Sequence, residues 1–157
     1  MSHFDYGYFS YSRKTKGKFD PVVERKNLVK KRTIINKLLA NDMGKEFYDG
    51  KRVNGYAGFK YDGRWEVFLK KIIKKYKLNN KSKVLDIGAK KGFFMHDLIK
   101  LLPGIKVYGV EDHYYPISKA MNSVKRKIQL KSVSFLFHPI EQGGLIRSLL
   151  DHFRGND

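Results

Sequence analysis

Apolar residues recur at intervals of three and four positions between residues 64 and 76, and lysines fill most of the places between them. This spacing predicts an amphipathic helix over 64–76 whose apolar stripe belongs to the core and whose lysine face meets solvent. The stripe consists of Trp65, Phe68, Leu69, Ile72, Ile73 and Tyr76.

Beyond this helix, short apolar runs alternate with segments of helical spacing. Residues 83–87 and 105–111 are apolar runs bounded by turn residues, which predicts two strands. The same patterns predict a helix over 92–102, a helix over 116–128, a third strand at 132–137 and a last short helix over 145–153. This order predicts an α/β fold with a parallel sheet of three strands and flanking helices.

The first part of the chain follows a different pattern. Residues 1–20 combine aromatic residues with lysine and arginine, an arm that either stacks on bases or packs on the domain. Asp20 and Pro21 predict the start of a helix that ends near Ala40, with Leu28, Ile35 and Leu38 on one face. The composition of residues 41–63 predicts a long ordered loop or lid. We therefore expect a basic extension over 1–55 and a sheet domain over 56–157.

Composition narrows the classes of function. The chain has 157 residues, no cysteine and a formal charge of +18. Without cysteine, disulfides, thiolate zinc sites and iron–sulfur clusters are excluded. No apolar run is long enough to span a bilayer, so we expect a cytoplasmic protein without a transmembrane segment. The charge favours nucleic acid or an anionic surface as a partner, unless it reflects only solvated lysine-rich helix faces.

The stretch from Val84 to Phe94 carries the clearest chemical signal. It predicts a strand, a glycine-bearing turn and a helix start, and the next strand ends on Glu111. Such a turn lets a ligand approach the backbone, and an acid at that place can accept the hydroxyls of a ribose. The pattern fits neither the dinucleotide fingerprint nor the phosphate loop. Asp86 would repel a pyrophosphate and favours a cationic ligand.

These residues resemble the class I, Rossmann-like S-adenosylmethionine-dependent methyltransferases, and the resemblance covers about residues 48–128. Asp86, Gly88 and Gly92 fall on positions of the first family motif, and Glu111 matches its ribose-binding acid. The resemblance implies S-adenosyl-L-methionine as cofactor and an unidentified methyl acceptor. The cofactor-binding residues that it implies are Asp86, Gly88, Ala89, Lys90, Gly92, Glu111, Tyr61 and Arg64.

Two features of this resemblance leave alternatives open. Lys90 stands where the family usually has glycine, so its side chain either crowds the ligand and strains the backbone or turns outward. Tyr61 and Arg64 lie at the end of the predicted lid, and both are candidates to face the ligand. In the alternative, Tyr61 covers the sheet and Arg64 forms a surface ion pair.

The predicted sheet is smaller than the seven-stranded sheet of the family. We expect a cofactor half without an acceptor half, with a dimer or a partner chain completing the sheet. His138, at the end of the third predicted strand, is a candidate to lie near the adenine, where the resemblance implies a residue, or to act as a general base, unless it is only a polar residue that ends the strand. The histidine spacing gives no metal site. The competing hypothesis is a non-catalytic Rossmann-like module that binds nucleic acid or a protein through its basic surface.

Overall fold

The computed structural model describes residues 27–132. The chain divides into two compact units, Met1–Lys71 and Ile72–Asp157, which are described separately below. The predicted arm over 1–20, the start of the first helix, residues 133–137 of the predicted third strand, His138 and the helix over 145–153 lie outside the described residues.

The described elements follow one another in the order of a mixed helix and strand fold. They are α1 (Ile34–Asn41), α2 (Lys45–Asp49), α3 (Trp65–Tyr76), β1 (Lys83–Ile87), α4 (Phe93–Leu101), β2 (Lys106–Glu111), α5 (Tyr114–Ser118), a 3₁₀ turn (Lys125–Lys127) and β3 (Ile128–Leu130). The predicted strands over 83–87 and 105–111 and the predicted helices over 64–76 and 92–102 are confirmed to within one residue at each end.

The second unit is built on a three-stranded parallel sheet in the order β1-β2-β3. Asp86 pairs with Gly109 and Ile87 with Val110, while Glu111 at the end of β2 pairs with Leu130. The central strand is the most buried of the three, because neighbours cover it on both sides. The predicted α/β class, with a parallel sheet and flanking helices, is confirmed at this level.

The core of this unit lies between α4, the sheet and the segment before β3. Met95 and Leu98 of α4 are fully buried, as are Val110 of β2 and Val124 beside the 3₁₀ turn. A side chain at Gly109 would come within 2.8 Å of Met95 Sδ and 2.9 Å of Ala89 Cβ, so glycine is required there by close packing. Gly109 of β2 thus packs against both Met95 of α4 and Ala89 of the turn that follows β1.

The first unit is held by an aromatic cluster around α2. Tyr48 is fully buried, its ring stacks on Tyr56 at 5.8 Å, and Tyr56 lies 4.8 Å from Phe59. The Tyr48 carbonyl accepts hydrogen bonds from the N–H groups of Gly58 and Phe59 at 2.9 and 3.0 Å. The predicted loop over 41–63 is thus corrected, because it contains α2 and folds against it.

The predicted single helix ending near Ala40 is wrong in its described part. Residues 27–30 are helical, but Thr33 is extended and starts α1 as a capping box with Asn36. The Thr33 hydroxyl accepts from the Asn36 N–H at 3.2 Å, and the Asn36 side chain accepts from the Thr33 N–H at 3.0 Å. These two bonds satisfy helix-start donors, so a new helix begins instead of the old one continuing.

The predicted helix over 116–128 is also corrected, whereas only Ser132 of the strand predicted at 132–137 lies within the described residues. After Ser118 the N–H groups of Lys119 and Ala120 bond three residues back to Pro116 and Ile117, which closes α5 after one turn. The apolar residues Val124 and Ile128 follow helical spacing, but they serve as packing residues against the β1–α4 turn. Ile128 therefore opens β3, and Ser132 lies beyond the strand.

Among residues 27–132, no helix combines the length and the apolar character needed to cross a bilayer. The most apolar described helices extend for only two or three turns.

Substitution of Gly92 tests the packing of the β1–α4 turn. Gly92→Ala would place Cβ 2.5 Å from Val124 Cγ2 and 3.1 Å from Ile128 Cδ1, at a φ of +72°. We expect a loss of about 2–4 kcal/mol in the free energy of unfolding by urea, from overpacking and left-handed strain together.

Gly88→Ala is the matched control, because Gly88 has a similar φ of +76° and no atom of the described part of the chain lies within 4 Å of the added Cβ. It should lose only the conformational part, about 1–2 kcal/mol. Equal losses in the two variants would contradict the packing role of Gly92.

Candidate functional site

The turn after β1 is pinned to the end of β2 by backbone hydrogen bonds. The N–H groups of Gly88 and Ala89 both donate to the Val110 carbonyl, at 2.8 and 3.0 Å. The Gly92 N–H donates to the Ala89 carbonyl at 2.8 Å and closes the turn at the start of α4. Gly88, Lys90 and Gly92 all have positive φ, so the backbone reverses direction within five residues. The turn is therefore held next to Glu111.

The two motif glycines have different roles. The Cβ position of Gly92 is occupied by the neighbouring Val124 and Ile128 side chains, so Gly92 allows close internal packing. Among residues 27–132, no atom lies within 4 Å of the Cβ position of Gly88, so this position faces open space there, and Gly88 is itself exposed. Only Gly88 therefore leaves room for a ligand to approach the backbone closely.

Glu111 is the buried acid of this edge, with 2% of its surface exposed. Its Oε2 accepts a hydrogen bond from the Lys90 N–H at 2.9 Å, and its Oε1 accepts one from the His113 N–H at 3.2 Å. The carboxylate thereby links the turn after β1 to the segment after β2. Burial raises the pKa of Glu111, its hydrogen bond with Asp112 raises it further, and the two backbone donors act in the opposite direction.

Asp86 lies on the same face of the sheet as Glu111. Its partner in β2 is Gly109, two residues before Glu111, and alternate residues of a strand share a face. Burial raises the pKa of Asp86 to about 7, the charge of Glu111 also raises it, and the Lys90 cation lowers it. Two carboxyl groups and one ammonium group thus share a site at which an added cation would be stabilised.

Asp112 and His113 extend this cluster. The His113 Nδ1 contacts carboxylate oxygens of both Asp112 and Glu111. Burial acts to raise the pKa of Asp112, but its hydrogen bond with Glu111 and the charge of His113 outweigh burial and leave it lowered. One potential metal-ligand atom from each of the three residues lies within 4.8 Å of the others. The three groups satisfy one another through their own hydrogen bonds and ion pairs.

The other residues of the expected site are placed as follows. Ala89 is buried beneath the turn, and Lys90 adopts a φ of +53° with its side chain half-buried. Tyr61 and Arg64 belong to the first unit, where both are exposed. Arg64 forms a forked ion pair with Asp62, with the Arg64 Nη2 atom 2.7 Å from the Asp62 Oδ2 atom. The structure therefore brings together Asp86, Gly88, Ala89, Lys90, Gly92 and Glu111.

Sequence reasoning did not find Asp112 and His113 as members of this cluster. Their signal was the triplet of two acids and a histidine at the carboxyl end of a predicted strand, where ligand-binding residues collect in parallel sheets. Spacing rules for metal ligands do not identify them, because Glu111, Asp112 and His113 are consecutive. Their side chains meet because the chain bends at Asp112, directly after β2.

Comparison with known proteins adds no assignment to this geometry. No protein-family model matches the sequence, and no curated protein gives a match. A function for the site must therefore be argued from the turn, the two carboxylates and the open space at Gly88.

The pKa of Asp86 predicts how stability depends on pH. Its usual value is 3.8 and its folded value is about 7, so the folded state binds the proton more tightly. This contribution is fully present below pH 3.8 and is lost as pH rises to about 7, by at most about 1.4 kcal/mol per pH unit. Asp86→Asn should flatten urea-derived stability between pH 4 and 7.

The control is Asp62→Asn, because the Arg64 hydrogen bond lowers the pKa of the exposed Asp62 carboxyl and acts in the opposite direction. Asp62→Asn should change the slope of stability against pH only on the acid side of pH 4, and above pH 4 any change in stability should be independent of pH. If Asp86→Asn leaves the slope between pH 4 and 7 unchanged, Asp86 is not the group that titrates there.

Proposed function

We propose that the second unit binds S-adenosylmethionine at the carboxyl edge of β1 and β2, as the cofactor-binding part of a class I methyltransferase. The observation that carries this proposal is the open space at Gly88, between Asp86 in sequence and the end of β2 in space. A ligand can reach the backbone there, within the field of two carboxyl groups. That combination favours a cationic nucleoside over a phosphate-bearing one.

Glu111 suits the ribose of such a ligand. A carboxylate offers about four lone-pair positions, and two of those of Glu111 accept the Lys90 and His113 N–H groups. The other positions are shared with Asp112 and with the His113 Nδ1, which lies 3.3 Å from Glu111 Oε1, so two ribose hydroxyls would take the place of these side-chain contacts. The backbone donors also fix the orientation of the carboxylate before a ligand arrives, so binding does not have to order that side chain.

Asp86 suits the cationic end of the ligand. S-Adenosylmethionine carries a sulfonium and an ammonium group, and a neighbouring positive charge stabilises the ionised carboxylate. The Lys90 cation already acts on Asp86 in this way. Lys90 therefore competes with the ligand for the same carboxylate, and its positive φ places a lysine in the backbone conformation that glycine adopts most easily.

The bound cofactor would supply an activated methyl group for in-line displacement. The residues of this chain would bind and orient the donor, since alignment of donor and acceptor contributes much of the rate in such reactions. Glu111 and the turn at Gly88 would hold the nucleoside, and Asp86 would face the charged end. The methyl acceptor and the residues that bind it are left unassigned by the described residues.

Removal of the Glu111 carboxylate tests this site directly. Glu111→Ala and Glu111→Gln should weaken S-adenosylmethionine binding about 10- to 100-fold in calorimetric titration at moderate salt, because charge-assisted hydrogen bonds to the ribose are lost. Glu66→Gln, a substitution on the surface of α3, is the control and should bind like the original chain.

Far-ultraviolet circular dichroism and urea unfolding establish that each variant is folded before titration. Unchanged affinity in a folded Glu111 variant would remove this residue from the site. Absence of binding to the folded original chain at millimolar ligand would contradict the proposal as a whole.

Binding should also release protons near pH 7. The pKa of Asp86 is about 7, and a cation beside it lowers that pKa, so a protonated fraction of Asp86 ionises on binding. Titrations at pH 7 in two buffers of different ionisation enthalpy measure the number of protons released. S-Adenosylhomocysteine, which lacks the sulfonium charge, is the matched ligand and should release fewer.

Asp86→Asn should abolish the difference in proton release between the two ligands. Equal release for both ligands in the original chain would mean that the charged end of the cofactor does not lie near Asp86. In that case the proposed ribose contact at Glu111 would remain, but the proposed contact at Asp86 would be removed.

A further inference from the structure

The outer face of α1 is apolar and exposed. Ile34, Ile35 and Leu38 expose 77%, 67% and 65% of their surface. At 100° per residue they cover one side of the helix over an arc of about 100°. Ile35 and Leu38 were predicted from the sequence to share one helix face, and in the structure both side chains are exposed. Exposed apolar stripes of this kind usually mark a binding surface.

The orientation of α1 is fixed by polar contacts on its opposite side. The Asn36 side-chain amide donates to Asn54 Oδ1 at 2.9 Å, and the Asn54 amide donates to Glu46 Oε2 at 3.2 Å. Asn54 is itself buried, with 3% exposed. Together with the Thr33 cap, this chain of amides holds the inner side of α1 against its own unit. The aliphatic stripe is therefore presented outward by the fold.

Basic residues flank the stripe in the sequence. Residues 27–45 contain one carboxylate, that of Asp42, and five basic side chains. Four of these are exposed and the fifth is half-buried; they are Lys30, Lys31, Lys37, Lys45 and Arg32. An aliphatic stripe bordered by lysines is the surface pattern of helices that lie in the interface of an anionic bilayer.

We propose that α1 and the basic residues around it form a docking surface for anionic phospholipid. Lipid supplies both complements, acyl chains for the three aliphatic side chains and negative headgroups for the lysines. A nucleic acid would satisfy the lysines alone, because bases stack on aromatic or guanidinium planes and not on isoleucine or leucine. A second copy of this strongly basic chain would bring like charges together at the same face.

Vesicle co-sedimentation of the full chain tests this surface. The chain should partition onto vesicles of phosphatidylcholine mixed with phosphatidylserine, and much less onto phosphatidylcholine alone. The double variant Ile35→Asn/Leu38→Asn should reduce partitioning about tenfold or more, because it removes buried aliphatic area. The double variant Lys31→Gln/Lys37→Gln should reduce it about tenfold on the mixed vesicles.

Matched controls lie on α3. Val67→Asn removes a side chain that is 69% exposed, and Lys71→Gln/Lys74→Gln removes two exposed lysines. Each control should change partitioning by less than the corresponding α1 variant. All the substituted positions are exposed, so urea midpoints should stay close to that of the original chain.

Three outcomes would overturn the proposal. Equal partitioning of Ile35→Asn/Leu38→Asn and the original chain would reduce the effect to charge alone. Binding to a single-stranded RNA oligonucleotide without partitioning onto vesicles would assign the basic surface to nucleic acid. The third outcome is self-association in sedimentation equilibrium, without vesicle binding, that Ile35→Asn/Leu38→Asn abolishes. It would make the stripe an interface between copies of the chain. None of these outcomes bears on cofactor binding, which involves the other unit.

Discussion

The arrangement of the second unit depends on one buried carboxylate. Glu111 ends the central strand, and its two oxygens accept the N–H groups of Lys90 in the turn after β1 and of His113 after β2. The bonds from Gly88 and Ala89 to Val110 reinforce the same junction. Because the carboxylate is buried, its backbone donors are worth more than they would be in water. The candidate site exists because these segments are held together.

The two glycines of the turn divide the requirements of fold and site between them. The side chains of Val124 and Ile128 occupy the space where a Cβ of residue 92 would lie. The segment before β3 can therefore pack against the turn only because Gly92 has no side chain. Gly88 makes no such contact with the residues that the structure describes, so its lack of a side chain is not required by the described core. Lys90, between them, keeps its N–H on Glu111 while adopting a left-handed backbone. One short loop thus serves packing, hydrogen bonding and access.

Much of the sheet and part of the site follow from local sequence. The strands over 83–87 and 105–111 and the helix over 92–102 have patterns that their own residues determine, and Asp86, Gly88 and Glu111 are positioned by those elements. The structure of residues 116–128 could not be predicted from local sequence. The helical spacing of Val124 and Ile128 reflects their packing at Gly92, a residue distant in sequence. The break before α1 depends on a Thr33 cap that competes with a continuing helix. The cluster of Asp112 and His113 arises from a bend that no periodicity predicts.

The most direct test of the central claim is a heteronuclear NMR titration of the labelled chain with S-adenosylmethionine, read at individual backbone amides. We expect the largest shift changes at Gly88, Ala89, Lys90 and His113, because these N–H groups border the open space at Gly88 or bond to Val110 and Glu111. Amides of α1 should stay unchanged. Shift changes confined to other residues, or none at millimolar ligand in a folded chain, would contradict the claim that this junction is a nucleoside site.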